Sequence, residues 1–262
     1  MLFFPPFLGG QLLQPGLAAK GILPFSAFCL ASSAGYLLND IVDRERDACH
    51  PLKSRRPIPS GTVSVMNAAV IAFLLIVTAL LLSLKVSLIF TAILMGYVIL
   101  SASYSLVFKS FPVVDLFCIA LGFVLRLMAG GEAFHVPITP WLFLSVFLLA
   151  VFLSTGKRLC EYRLLGDDAG EHRKSLIRYP PGFLDGTIYM TGGVVLVTYS
   201  MYTLSRPKLL YSVPLCAFGL LRYIYRIQSG QSGDPTESLL KDRVLFSVGL
   251  LWTLLVTWSI YW

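Results

Sequence analysis

The stretch Tyr36–Gly61, YLLNDIVDRERDACHPLKSRRPIPSG, decides how the chain is read. It begins at the end of an apolar run and gathers four acids (Asp40, Asp43, Glu45, Asp47) and five bases (Arg44, Arg46, Lys53, Arg55, Arg56). Asp40, Asp43 and Asp47 fall at i, i+3 and i+7, so a helix carries them on one stripe, with Tyr36 and Asn39 just ahead on nearly the same line. Carboxylates on one face repel one another unless a cation sits among them. Hard oxygen ligands at low count suit Mg²⁺, which completes its shell with water and substrate phosphate. The basic run that follows, ending in Pro57 and Pro59, can hold the phosphate charge that the metal leaves over. The residues point to a diphosphate site. A solvated loop beside the membrane is the plainer reading, but it has no need of Asn-Asp and spaced carboxylates inside a helix end, where burial is costly.

Composition sets the class around this stretch. The chain of 262 residues is 56% hydrophobic and 13% charged, with a mean hydropathy of +0.75, against roughly 25% charged in soluble domains. Several nearly uncharged stretches are about as long as a bilayer requires, roughly 20 residues. The expected fold class is therefore an all-α integral membrane protein, one domain over residues 1–262, embedded in a lipid bilayer. The net charge of +7 does not indicate a nucleic-acid partner, because the bases sit beside acids in loops rather than among exposed aromatics. Five scattered cysteines without a CxxC support neither a disulfide framework nor a zinc site and read as small hydrophobes. The first residues lack a basic segment of the signal-peptide type.

Spans are expected at 21–42, 62–84, 86–107, 112–135, 138–165, 184–205, 207–227 and 240–262, with Met1–Leu13 as a partial first one, about nine in all. Alternate loops then carry 16 of the Lys and Arg residues and the opposite loops only Lys20, Lys85, Arg206 and Lys208. This asymmetry places the richer loops, and the Tyr36–Gly61 stretch with them, on the cytoplasmic side of the cell inner membrane.

A second polar group lies on that side. Tyr104, Lys109 and Asp115 flank a short turn, and Asp115 leads a stripe through Gly122, Arg126 and Gly130, so that Asp115 and Arg126 share a helix face. An arginine inside a span marks a wet cavity or a partner; a salt bridge between helices is its structural reading, and the glycines are expected to let helices approach. In the third group, Gly156–Tyr179, Lys157 and Glu161 are i, i+4 partners, and Lys157 and Arg158 stand where substrate phosphate can be reached. His50 and His172 lack ligand partners and read as hydrogen-bonding loop residues, and His135 as interfacial. Asp234-Pro235-Thr236 reads as the start of a helix running into the last span.

Asn39-Asp40-x2-Asp43-x3-Asp47, followed by Arg56-Pro57 and Ser60-Gly61, resembles the first motif of the UbiA prenyltransferase superfamily. His50-Pro51-x-Lys53-x2-Arg56-Pro57, Tyr104-Ser105-x3-Lys109, Asp115 with Gly122 to Gly131, Gly156-Lys157-Arg158-x2-Glu161 and Gly233-Asp234-Pro235-Thr236 are similar to its decaprenyl-phosphate phosphoribosyltransferase branch. The resemblance implies a UbiA-like bundle of nine helices around a central cavity opening to the cytoplasm. It implies transfer of 5-phosphoribose from 5-phosphoribosyl 1-diphosphate (PRPP) to a polyprenyl phosphate, in synthesis of a lipid-linked arabinose donor for surface glycans. Asn39 and Asp43 would hold Mg²⁺, with Asp40 or Asp47 directly or through water, and Asp40, Asp43, Asp47 and Asp115 form the catalytic set. Tyr36, Lys53, Arg56, Tyr104, Lys109, Arg126, Lys157 and Arg158 form the substrate-binding set. A homo-oligomer is left open. Members of the branch usually open with a basic segment ahead of the stretch matching Phe3–Leu8, and its lysine is expected to be missing here.

Two other functions compete. A prenyltransferase moving a polyprenyl group to an aromatic acceptor would need a second aspartate-rich cluster after the fourth span, where this chain offers Asp115 alone. A transporter would show broken helices at mid-membrane and inverted repeats; neither is legible.

Overall fold

The structure, a computed structural model, describes residues 1–49, 53–165 and 174–262. His50 and Pro51 of the basic motif, and Asp167, Asp168, His172 and Arg173, lie outside the described residues. The described residues are helical, with no strand among them. In chain order the helices are α1 (Phe4–Leu8), α2 (Leu17–Ala48), α3 (Val65–Leu84), α4 (Leu88–Leu106), α5 (Val114–Phe134) and α6 (Pro140–Leu165). Then come α7 (Lys174–Ile177), α8 (Phe183–Leu204), α9 (Val213–Gln228), α10 (Pro235–Lys241) and α11 (Arg243–Tyr261). Each expected span has its helix, and among the described residues six (α2 to α6 and α11) are long and apolar enough to cross a membrane.

The ends are set by local chemistry. Ser64 caps α3 by accepting from the Asn67 N–H at 3.2 Å, and Ser87 caps α4 by accepting from the Phe90 N–H at 2.9 Å. Two boundaries differ from expectation. α2 continues through the charged residues to Ala48 instead of stopping near residue 42. The last span is two helices, because Asp242 leaves the helical region (φ −96°, ψ 102°) and starts α11 anew by accepting from Val244 and Leu245.

The chain forms two compact units, one of residues 1–109 and 125–137, the other of 110–124 and 138–262. In the first, α2, α3 and α4 pack around Ala27, Ala31 and Ala79, small enough for close approach, with Phe28, Phe90, Leu94 and Tyr97 filling between them. A Cβ on Gly130 would overlap the Leu2 carbonyl oxygen, so this glycine admits the N-terminal segment against α5, in the packing role expected of it. In the second unit, Phe152 and Leu159 of α6 pack on Leu184, Ile188 and Val195 of α8 and on Tyr223 and Ile227 of α9. Large apolar side chains such as Phe73, Leu74, Leu88 and Leu254 face outward, the reverse of a water-soluble protein. All five cysteines are free; Cys118 and Cys160 are buried as expected, whereas Cys29 and Cys49 are exposed.

Candidate active site

The extra turn and a half of α2 builds the first cluster. At about 100° per residue, Asp40 and Asp47 lie about 20° apart around the helix, while Asp43 stands about 60° from Asp40 and about 40° from Asn39, one turn back. Asp47 also stands about 40° from Asp43, so helix position alone does not pair them; the bases do, setting Asn39 with Asp43 and Asp40 with Asp47. The three carboxylates keep the one stripe expected from their spacing, within about 60° of one another.

Each pair is met by bases from outside the helix. The 3₁₀ turn Lys53–Arg55 brings Arg56 back over α2, where its Nη1 donates to Asp40 Oδ1 at 2.7 Å and to Asp47 Oδ2 at 3.2 Å. Lys53 Nζ stands 3.6 Å from Asp47 Oδ1. On the other side, the turn Phe108–Ser110 after α4 presents Lys109, whose Nζ donates to Asp43 Oδ2 at 2.7 Å and to Asn39 Oδ1 at 3.4 Å. Lys109 is only 9% exposed, so its ammonium is held there rather than solvated. Arg46 approaches Asp43 Oδ1 at 3.4 Å. Tyr36 is exposed on the same helix, and Tyr104 is half-buried on α4.

The Asn39–Asp43 pair fits a Mg²⁺ ion. Two oxygen donors one turn apart already share a cation, the Lys109 ammonium, which stands in for the metal's charge. Among the described residues no three His, Cys, Asp or Glu side chains gather to hold an ion. A site with so few protein ligands matches Mg²⁺, which keeps several waters and takes phosphate oxygens.

Arg126 lies within α5 in the same unit. Its Nη2 donates to the Tyr97 hydroxyl at 2.6 Å and stands 3.5 Å from Ser32 Oγ, and its guanidinium carbon is 4.6 Å from the Tyr97 ring centroid. Asp115, three turns back on the same helix, has partners of its own.

Asp115 belongs to the second unit, where its side chain is fully buried. Oδ2 accepts from Arg158 Nε at 3.0 Å and Oδ1 from the Tyr179 hydroxyl at 2.8 Å. The same Tyr179 oxygen accepts from the Val113 N–H at 2.7 Å, and Val113 has a left-handed φ of +67°, a strained value for a β-branched residue. Burial, reinforced by the Asp115 charge, pushes the Tyr179 phenol well above its ordinary range, so it stays a donor. Arg158 also donates through Nη1 to Glu161 at 2.6 Å.

That last contact corrects the sequence reading. Glu161 pairs with Arg158 three residues back, and Lys157 instead reaches Asp234 Oδ2 at 3.2 Å. The physical reason is the close approach of two glycines. A Cβ on Gly233 would stand 2.6 Å from the Gly156 carbonyl oxygen, so the Gly233–Asp234 loop lies directly on α6 beside Lys157. Asp234 caps α10 as expected, accepting from Thr236 at 3.0 Å and Glu237 at 3.1 Å. Asp242 carries a network that sequence reasoning missed: Oδ2 accepts from Arg222 Nε at 2.9 Å and from Arg226 Nη1 at 3.0 Å. Burial opposes its ionisation, but the Leu245 N–H and the two guanidiniums outweigh burial and lower its pKa to about 2. An acid at a helix start with two arginines spaced i, i+4 upstream was the available signal.

Fold and site together define a multi-pass helical membrane protein with paired carboxylate and basic side chains at one helix end. Residues 3–252 match the UbiA prenyltransferase family, and the chain belongs to that family. It is 32% identical to the decaprenyl-phosphate phosphoribosyltransferase of Mycolicibacterium smegmatis over 259 residues, which cover 94% of this chain and 81% of that protein. It is 32% identical to the enzyme of the same name from Corynebacterium glutamicum over 249 residues, 91% of this chain and 75% of that one. A UbiA homolog from Archaeoglobus fulgidus, solved bound to GPP and Mg²⁺, superposes with a TM-score of 0.78 at 20% identity, covering 99% of this chain and 94% of that one, and so shares the fold.

Proposed function

We propose that the protein transfers 5-phosphoribose from PRPP to a polyprenyl phosphate, releasing diphosphate, as one UbiA-like catalytic domain. The observation that carries this reading is the balance of charge in the α2 cluster: the Asn39–Asp43 pair, held by Lys109, beside the Asp40–Asp47 pair, held by Lys53 and Arg56. A donor with a diphosphate and a 5-phosphate, meeting an acceptor phosphate, brings more negative charge than one metal offsets. The names of the relatives agree. Asp115 supports the same choice over prenyl transfer to an aromatic acceptor, since Arg158 and Tyr179 engage both its oxygens. Among the described residues it is not joined by further acids in a second cluster.

Mg²⁺, bound at Asn39 and Asp43, would supply charge stabilisation at the leaving diphosphate. Arg56, Lys53 and Lys109 would bind and orient phosphate oxygens, Tyr36 and Tyr104 would donate hydrogen bonds, and Arg126 would hold the remaining phosphate. In the transfer, the bond from the anomeric carbon to the diphosphate oxygen breaks with its electron pair leaving on diphosphate. An acceptor phosphate oxygen forms the new bond. That oxygen is already anionic, so Asp40 and Asp47 need remove no proton; they position Arg56 and Lys53. In-line attack inverts the anomeric centre. The excess of bases on one set of loops supports a site facing the cytoplasm in the inner membrane, where PRPP is available.

The test uses membranes containing the protein, Mg²⁺, radiolabelled PRPP and polyprenyl phosphate. Label is expected to enter an organic-soluble, acid-labile lipid, and Asp43→Ala is expected to lower the rate by about 10³-fold or more. Prenylation of an aromatic acid, with no label transfer from PRPP, would overturn the reading.

A further inference from the structure

We infer that Lys109 is an exchange cation: it occupies the metal-binding oxygens of Asn39 and Asp43 when substrate is absent and leaves them when Mg²⁺ binds. The inference rests on the proposed use of this pair for Mg²⁺, and goes beyond it by giving one lysine two alternating partners.

Three observations carry it. Lys109 Nζ contacts both oxygens at once, at 2.7 Å to Asp43 Oδ2 and 3.4 Å to Asn39 Oδ1, so an ion entering between them meets the ammonium. The lysine is buried, which is costly for an ammonium unless it is paired, so it has a reason to remain on the carboxylate until another cation replaces it. It also stands on a short 3₁₀ turn between α4 and α5 rather than within α2, so its side chain can withdraw without disturbing the helix that carries the two oxygens. A Mg²⁺ ion on Asp43 Oδ2 would set a double charge at contact distance from the Lys109 ammonium, in a buried place where the repulsion is little screened. Metal binding therefore releases Lys109, and a released ammonium on a flexible four-carbon stem is suited to a phosphate oxygen arriving with the metal. The exchange would make the site hold Mg²⁺ weakly when empty and firmly when a diphosphate offers the displaced lysine a new partner. Arg56 is placed differently: it bridges Asp40 and Asp47, so it does not compete for the Asn39–Asp43 pair.

The test needs neither PRPP nor lipid phosphate, so its failure and failure of the transfer reaction are separate results. Calorimetry with Mg²⁺ alone is run on the full chain in nanodiscs. Lys109→Met is expected to bind Mg²⁺ about tenfold more tightly than the unsubstituted protein, the scale of one charged hydrogen bond. Lys109→Arg and Arg56→Gln are expected to leave the affinity nearly unchanged, and adding Asn39→Ala to Lys109→Met is expected to remove the gain. Equal or weaker Mg²⁺ binding by Lys109→Met would overturn the inference, because a lysine that merely supports the site loses metal when removed. A second measurement uses the unsubstituted protein. Acylation of Lys109, followed by mass spectrometry, is expected to rise when saturating Mg²⁺ is added and to stay low with Na⁺ of equal ionic strength. Unchanged acylation would overturn it as well.

Discussion

The α2 cluster and the Asp115 cluster use the same chemistry, carboxylate against guanidinium or ammonium, in opposite ways. Around α2, Arg56 is 42% exposed and Asp40 is 24% exposed, and one arginine serves two carboxylates. Around Asp115 the carboxylate is fully buried, Arg158 is 4% exposed, and a tyrosine takes the other oxygen. The first arrangement can exchange partners, because several bases and acids stand within reach of one another and water reaches Arg56, Lys53 and Asp40. The second cannot, because a lost partner leaves a bare charge in an apolar surrounding. The first cluster is open to a charged ligand; the second is closed around its own charges.

Substitutions should divide along that line. The largest expected effect on stability is Asp115→Ala, which takes the buried acceptor from both Arg158 Nε and the Tyr179 hydroxyl and should lower it by about 3–5 kcal/mol; a thermal or denaturant transition in detergent measures it, and a loss under about 1 kcal/mol would remove the distinction. Tyr179→Phe should be smaller, about 1–3 kcal/mol, because Asp115 and the strained Val113 N–H each lose one partner. At the open cluster, Arg56→Gln should change stability by less than about 1 kcal/mol and raise the PRPP KM by about tenfold in the transfer assay. If the stability losses of Arg56→Gln and Asp115→Ala were equal, the two clusters would be of one kind.

The smallest effect concerns Asp242, outside both clusters, and depends on pH. Its folded pKa lies below the unfolded carboxylate value, at about 2. The stability it contributes is therefore present above the unfolded value, near about 4, and is lost as pH falls through about 2. The gap in Tm between the protein and Asp242→Asn should stay constant from neutral pH down to about 4 and narrow toward about pH 2. A gap that stayed open and independent of pH over that range would show that the Asp242 charge does not supply it, and no gap at any pH would show that the helix cap, which asparagine retains, is all that Asp242 contributes.

Much of this was legible in the chain itself, for local reasons. Apolar runs of bilayer length located the helices, since a span must satisfy its backbone within itself. The Asp40, Asp43 and Asp47 spacing placed three carboxylates at one helix end, and Asp234 before Pro235 marked a helix start. The apolar span ends near residue 42 because charged residues close it, and it was the carboxylate spacing, not apolarity, that carried the helix on through Asp47, one residue short of its end. Pairing was least legible. Lys157 could take Glu161 at i+4 or a residue far along the chain, and it takes Asp234.

By itself, then, the sequence determined the class of protein, the helical spans and the identities of the charged groups, because helix periodicity and burial cost act over a few residues. Only the tertiary structure decided which base meets which acid. It joined Lys109 to Asn39 and Asp43, closed Arg158 and Tyr179 on Asp115, and set Arg222 and Arg226 on Asp242. A salt bridge forms between whichever opposite charges the packed helices bring within reach, and that distance is a property of the packing.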